Sequence, residues 1–188
     1  MNVLMFGWEF PPHISGGLGT ACYGLTKGLS EVDRMQVTFV VPRAWGDELR
    51  SDIQLLGANQ VPVNRRWVEI GDSETRMEVV EVLSDLAPYR SPEQFWELKS
   101  RSYARGTRFV EVNEEGKIEF SGSYGPSLYR EIRNYAIVGR VMARARSFDI
   151  IHAPDWLTFP AGNEAMKAYG KTLFVHVHST EFDRTGEN

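Results

Sequence analysis

The sequence predicts an α/β fold: a doubly wound, mainly parallel sheet with helices on both faces. Three observations carry that expectation. Short continuous apolar runs such as NVLMF at Asn2–Phe6 suit strands buried on both faces. Amphipathic segments with a helical period separate them. The order strand, loop, helix, strand is complete by Val41, which makes a βαβ unit with a right-handed crossover.

Taken in order, the first strand ends at Gly7 and runs into the Pro11–Pro12 loop. Ala21, Cys22, Leu25, Leu29 and Val32 then recur at helical spacing, so a helix is expected from about Gly19 to Glu31. MQVTFVV, Met35–Val41, is a second buried strand closed by Pro42. The stretch 61–120 reads as an excursion from the main sheet. RRWVEI, MEVVEVL, RFVEVN and KIEF are short strand-like segments within it, suited to a small antiparallel element. Between them SPEQFWELKSRSY has Ser91 as N-cap, Pro92 at the first helical position and Gln94 in the capping-box place. Leu128, Ile132, Tyr135, Gly139 and Met142 form one stripe of a long amphipathic helix that starts after Pro126–Ser127. FDIIHA is a further buried strand, PAGNEAMKAYG a helix capped at Gly170, and TLFVHVH another strand.

The chain has 188 residues, enough for one domain with a large excursion and its own core. An apolar fraction of 42% and a charged fraction of 24% are those of a soluble globular protein. The net charge of −4 argues against a nucleic-acid partner, which calls for a basic excess. The single cysteine, Cys22, forms no internal disulfide and points to a reducing compartment. With no leader or membrane span in sight, a cytoplasmic protein without integral membrane contact is expected. The four histidines and lone cysteine lack zinc-ligand spacing, so no metal is expected.

The motif with most chemistry is Gly16-Gly17-Leu18-Gly19, where the first strand hands over to the first helix. Open parallel sheets bind ligands beyond the carboxyl ends of their strands. Glycines let the backbone approach a ligand, and the first N–H groups of a helix have no partner inside it. With the helix dipole they make an anion site. A dinucleotide fingerprint fits poorly: Cys22 stands where the third glycine belongs, and the second strand ends in Val41–Pro42 without a ribose-holding acid. A Walker loop is excluded, because no Gly-Lys-Ser/Thr follows. The reading in which the glycines only make a turn and pack helix on strand stays open.

The opening GWEFPPHISGGLG resembles the N-terminal half of retaining glycosyltransferases of GT-B architecture, above all glycogen and starch synthases. SYGPSLYREIRNYA, FDIIHAPDWLTFPAG and FVHVHSTEFDR resemble three further segments of that family in the right order. The likeness covers most of the chain and is weakest over 44–120. It implies a Rossmann-like N-terminal domain over 1–188, facing a C-terminal donor-binding domain that this chain does not contain. It implies no cofactor beyond the substrates, an ADP- or UDP-linked sugar and a glycan acceptor. In that family the Gly-Gly-Leu loop meets the donor diphosphate, which assigns Gly16, Gly17, Leu18 and Gly19 to phosphate binding.

His152, Asp155 and Trp156 lie at or just past the end of the FDIIHA strand, on the ligand side of the sheet, where a carboxylate takes sugar hydroxyls and an indole stacks on a pyranose. The alternative is that Trp156 is core and Asp155 caps the next helix. His176 and His178 alternate along FVHVH and are expected on opposite faces of the sheet, with His178 reaching the cleft. His178 and Asp155 are the candidate catalytic residues. Glu9, His13 and Glu181, each beyond a strand end, are candidate sugar or acceptor contacts. Arg130, Arg133, Arg140 and Arg144 are expected to form the wet face of the long helix.

Two departures matter. Pro154 stands where the family has a second histidine, which shifts that role toward His13 or His178. Ile14-Ser15 stand where the family commonly carries a lysine before the glycines, which removes one phosphate contact. The expected function is thus the acceptor-side domain of a sugar transferase, inactive by itself. A non-catalytic carbohydrate-binding or regulatory module is the alternative, and an NAD-dependent enzyme is disfavoured by the glycine spacing.

Overall fold

A computed structural model describes residues 1–49, 53–63 and 112–178. The elements are β1 (Asn2–Phe6), α1 (Gly17–Ser30), β2 (Gln36–Val41), β3 (Gln54–Gly57), α2 (Leu128–Ala145), β4 (Ile150–Pro154), α3 (Phe159–Tyr169) and β5 (Thr172–His176). The strands form one parallel sheet in the order β3-β2-β1-β4-β5. From β1 at the centre the chain winds first toward β3 and later toward β5. The topological switch point therefore lies between the carboxyl ends of β1 and β4, where ligands enter such sheets.

Side-chain alternation along β1 sorts the core into two layers. Leu4, Phe6 and Trp8 point to the side covered by α2 and α3, where they join Ile132, Tyr135, Val138, Leu157 and Ala161. Val3 and Met5 point to the other side, joining Phe10, Cys22, Val37 and Phe39 under α1. Phe6, Phe39, Met5 and Tyr135 are completely buried, each stabilising the fold by about 1.5–3 kcal/mol relative to an exposed side chain. The Tyr135 hydroxyl spends its hydrogen on the Val40 carbonyl at 2.8 Å, so that side chain locks α2 to β2.

The predicted stripe of α2 is buried along its whole length, from Leu128 to Met142. Its Gly139 is there for contact: a Cβ would stand 2.8 Å from the Ala161 carbonyl oxygen, so α2 and α3 meet backbone to backbone. Gly162 does the same for sheet packing, against Leu173 and Ala153. Gly170 ends α3 at φ 71°, its N–H donating to Met166 O at 2.7 Å.

Three features depart from expectation. The short strand β3 was not foreseen. KIEF forms no strand; Lys117 alone makes an antiparallel bridge, to Pro62. Of the helix α2 arginines, Arg140 is not on a wet face but half-buried, 3.4 Å from Glu164 on α3. The segments RRWVEI and MEVVEVL, most of RFVEVN and the helix expected after Ser91 lie outside the described residues, as does Glu181.

Candidate functional site

The loop after β1 and the start of α1 form the middle of the site. The Pro11–Pro12 bond is cis, and Leu49 N–H donates to Pro11 O at 3.0 Å. Glu9 turns inward and is only 6% exposed. Its Oε2 takes the Ser15 N–H at 3.0 Å, and its Oε1 takes the Ser15 hydroxyl. The carboxylate thus ties the two ends of the loop together, and Glu9 faces the loop rather than open solvent.

The glycines divide into two kinds. Cβ atoms added at Gly16 or Gly17 would meet nothing within 4 Å. One added at Gly19 would lie 2.5 Å from Ile14 Cγ2 and 2.9 Å from Glu9 Oε2. Gly19 therefore packs against the loop residues Ile14 and Glu9, while Gly16 and Gly17 border open space. Gly16 is the N-cap of α1 and offers no side-chain cap, and the first turn holds no acidic residue. The N–H groups of Gly17, Leu18 and Gly19 belong to the first turn, where a helix supplies no acceptor of its own.

On the β4 side, Asp155 follows the last residue of β4 and is 3% exposed, held at φ 69°, a left-handed conformation uncommon for a side chain other than glycine. Its N–H donates to His176 O at 2.6 Å, and its Oδ1 accepts the Trp156 N–H at 2.9 Å. Its carbonyl, not its carboxylate, takes the Thr158 N–H and hydroxyl, each at 3.0 Å, and Thr158 is the N-cap of α3. Trp156 is half-buried, packed on the inner core with its ring 6.0 Å from that of Tyr129.

His152, His176 and His178 stand in a row, with ring centroids 6.0 and 4.1 Å apart. The expectation of opposite faces for His176 and His178 is corrected: residues two apart on an extended chain share a face, and these rings lie against each other. Burial, helped by His176 and then His178, lowers the His152 pKa from 6.5 to about 4. His178 is also lowered, by burial first and His176 second, while the Asp155 charge opposes the shift. Pro154 pairs with His176 in the β4–β5 register, so at the family's histidine position there is a strand residue with no N–H. Among the described residues no set of three His, Cys, Asp or Glu is arranged to hold a metal ion.

On the β2 side lies a cavity of about 440 Å³ that sequence reasoning missed. Its walls combine Trp8, Glu9, His13 and Ser15 with Arg43, Trp45 and Glu48 from the loop after β2 and with the 121–124 segment before α2. That segment wraps the buried Glu131 carboxylate, which accepts from Ser121 N, Ser121 Oγ, Gly122 N and Ser127 Oγ at 2.6–3.0 Å. His13 is drawn to this side, 2.6 Å from Asp47 and stacked on Trp45 at 4.9 Å. Tyr124 links the two sides: burial chiefly, then Glu9 and Asp155, raises its hydroxyl pKa. The same two carboxylates, after burial, push Cys22 up to about 12, so that thiol stays protonated and is packing. The ligand edge therefore carries Glu9, His13, Trp45 and Tyr124 in the walls of one cavity on the β2 side, and Asp155, His152 and His178 on the β4–β5 side. A cue for the missed residues was available: the tryptophan of VPRAWGDE follows β2 directly at the ligand edge.

The family described as the starch synthase catalytic domain matches residues 2–188. No curated protein gives a significant match. The match spans β1 with its glycine loop, the β4 and β5 ends that carry Asp155 and His178, and the cavity between β1 and β2.

Proposed function

The chain belongs to the starch synthase catalytic-domain family, and from that premise we propose that it forms the acceptor-side domain of a retaining sugar transferase. Glycosyl transfer of the glycogen and starch synthase type is what the family does. The finer reading is that the donor is a nucleotide-diphospho-sugar, ADP- or UDP-linked, and that a second, C-terminal domain holds most of its nucleotide. A cytoplasmic setting is part of the same reading, and no helix among the described residues is long and apolar enough to cross a membrane.

The observation that carries the reading is the open space above Gly16 and Gly17 at the uncapped start of α1, beside the switch point of the sheet. When the sugar–phosphate bond breaks, negative charge gathers on the departing diphosphate. Preorganised N–H donors at a helix start stabilise that charge without reorganising, which is the usual source of large rate effects. Burial and His176 lower the His178 pKa, which favours the neutral imidazole, a hydrogen-bond partner to a sugar hydroxyl rather than a cation. Asp155 accepts the Trp156 N–H, which fixes the orientation of its carboxylate at the end of β4, and this is the group assigned to the acceptor hydroxyl in this reading. With no lysine before the glycines, the N–H groups carry the phosphate interaction in this domain.

The test is a comparison of Gly17→Val with wild type, in a protein that carries this domain together with the donor-binding domain, in sugar transfer from ADP- and UDP-glucose and in thermal stability. Transfer should fall far more than stability, and equal losses in both would remove the glycine loop from the donor site.

A further inference from the structure

The structure points to a glycan subsite outside the glycine loop, in the cavity between the β1 and β2 loops, with Trp45 as its platform and Arg43 and Glu48 as its polar contacts. We propose that it holds one neutral sugar ring of the acceptor, a unit removed from the reacting one. This rests on the transferase reading and names where its acceptor runs.

The first observation is an exposed indole that is held still. With His13 stacked on it at 4.9 Å and the Arg43 guanidinium over one ring, Trp45 is still 50% exposed, which leaves apolar ring surface open to a ligand. Yet its loop is tightly fastened. Trp45 N–H donates to the Glu48 carboxylate, as does Gly46 N–H at 2.9 Å, with Gly46 at φ 94°. Ala44 N–H donates to Asn59 Oδ1 at 3.0 Å, and Asn59 Nδ2 returns a bond to Ala44 O at 3.3 Å. Asp47 reaches His13 across the cavity mouth at 2.6 Å. The Arg43 guanidinium sits 3.7 Å from the centroid of a Trp45 ring, which fixes both side chains. Holding a ring in place before binding lowers the entropic cost of recognition, and such anchored aromatics dominate binding sites.

The second observation is the cavity's chemistry. At about 440 Å³ it falls in the size range of small-ligand pockets. Its walls are aromatic at Trp8, Trp45 and Tyr124 and hydroxyl-bearing at Ser15, Ser121 and Ser123. The Trp8 indole N–H is buried without an acceptor among the described residues. Among the described residues Arg43 has no carboxylate within ion-pair distance and one hydrogen bond, to Phe120 O at 3.5 Å. Glu48 and Glu9 offset its charge in the same walls, which disfavours an anion and suits a ring with both hydroxyl donors and acceptors. A pyranose presents C–H groups to an indole and hydroxyls to an arginine and a carboxylate.

The experiment is an NMR titration of the whole 188-residue chain with maltohexaose, reading the indole N–H resonances of its five tryptophans. Wild type should show saturable shifts at the Trp45 indole. Trp45→Ala should weaken binding about tenfold or more, as expected for loss of one stacking partner, while Trp45→Phe retains most of it. Arg43→Gln should weaken it severalfold. Titration with inorganic diphosphate should leave the Trp45 indole unmoved. Shifts at the Trp156 indole with none at Trp45 would overturn the subsite and leave the transferase reading standing. So would a Trp45 response to diphosphate but not to glycan, or no glycan response at millimolar concentration. The wild-type indole shifts need no variant to fold, and a loss of donor use on Gly17→Val is read separately from all of these.

Discussion

Glu9 Oε2 accepts the Ser15 N–H at 3.0 Å and stands 2.9 Å from where a Cβ on Gly19 would sit. One buried carboxylate therefore sets the path of the loop, the angle of α1 and the need for glycine at position 19. The orphan N–H groups at the start of α1 are held in place by this brace, whose carboxylate also lines the cavity on the β2 side.

Removing the brace should loosen the loop. Glu9→Ala removes both hydrogen bonds to Ser15, and because Ser15 is exposed and can turn to water the loss should be about 0.5–1.5 kcal/mol in urea unfolding. Glu9→Gln keeps one acceptor oxygen and should cost less. If the two variants prove equally stable, Glu9 does not brace the loop.

The glycines at 17 and 19 should behave oppositely to alanine. Gly17→Ala adds a Cβ in open space at a helical position and should leave stability unchanged or raise it by up to about 1 kcal/mol. Gly19→Ala forces Ile14 and Glu9 apart and should cost about 1–3 kcal/mol. Thermal unfolding of the two single variants checks this, and equal stabilities would contradict the division of roles.

At the α2–α3 crossing, Gly139→Ala should lower stability by about 1–3 kcal/mol, or roughly 2–12 °C in Tm for a chain of this size. The obstacle there is the Ala161 carbonyl, which cannot rotate away like a side chain. Activity per folded molecule should not change, since neither residue borders the ligand edge.

Acid should destabilise the fold through His152. Its folded pKa of about 4 lies below the ordinary 6.5, so between those values the unfolded chain binds the proton and the folded chain does not. Stability therefore rises with pH across that window and is lost as pH falls from 6.5 toward 4. His152→Gln should flatten that part of the Tm–pH curve, whereas an unchanged slope would place the titration elsewhere.

Much of this architecture was legible because each cue had one physical cause. The apolar runs of β1, β2 and β4 follow from burial on both faces, and the α2 stripe and the Gly170 cap from helix geometry. Strand β3 escaped because QLLG is too short to show a period; it exists by pairing with β2, Phe39 opposite Leu55. The two faces assigned to His176 and His178 ignored that a strand repeats every two residues. Of the site, the glycine loop and Asp155 were visible as motifs. The contact of Glu9 with Ser15 was not visible, since a sequence does not say whether a carboxylate turns to solvent or to the serine six residues on. Arg43, Trp45 and Glu131 share no spacing and meet only after the sheet forms.

The most direct measurement is an amide NMR titration of the chain with ADP-glucose and UDP-glucose at millimolar concentration. Shifts centred on the amides of Gly17, Leu18 and Gly19, lost in Gly17→Val while the remaining spectrum is retained, are the predicted result. Perturbations that avoid this loop, or that persist unchanged in Gly17→Val, would contradict a donor diphosphate at the start of α1.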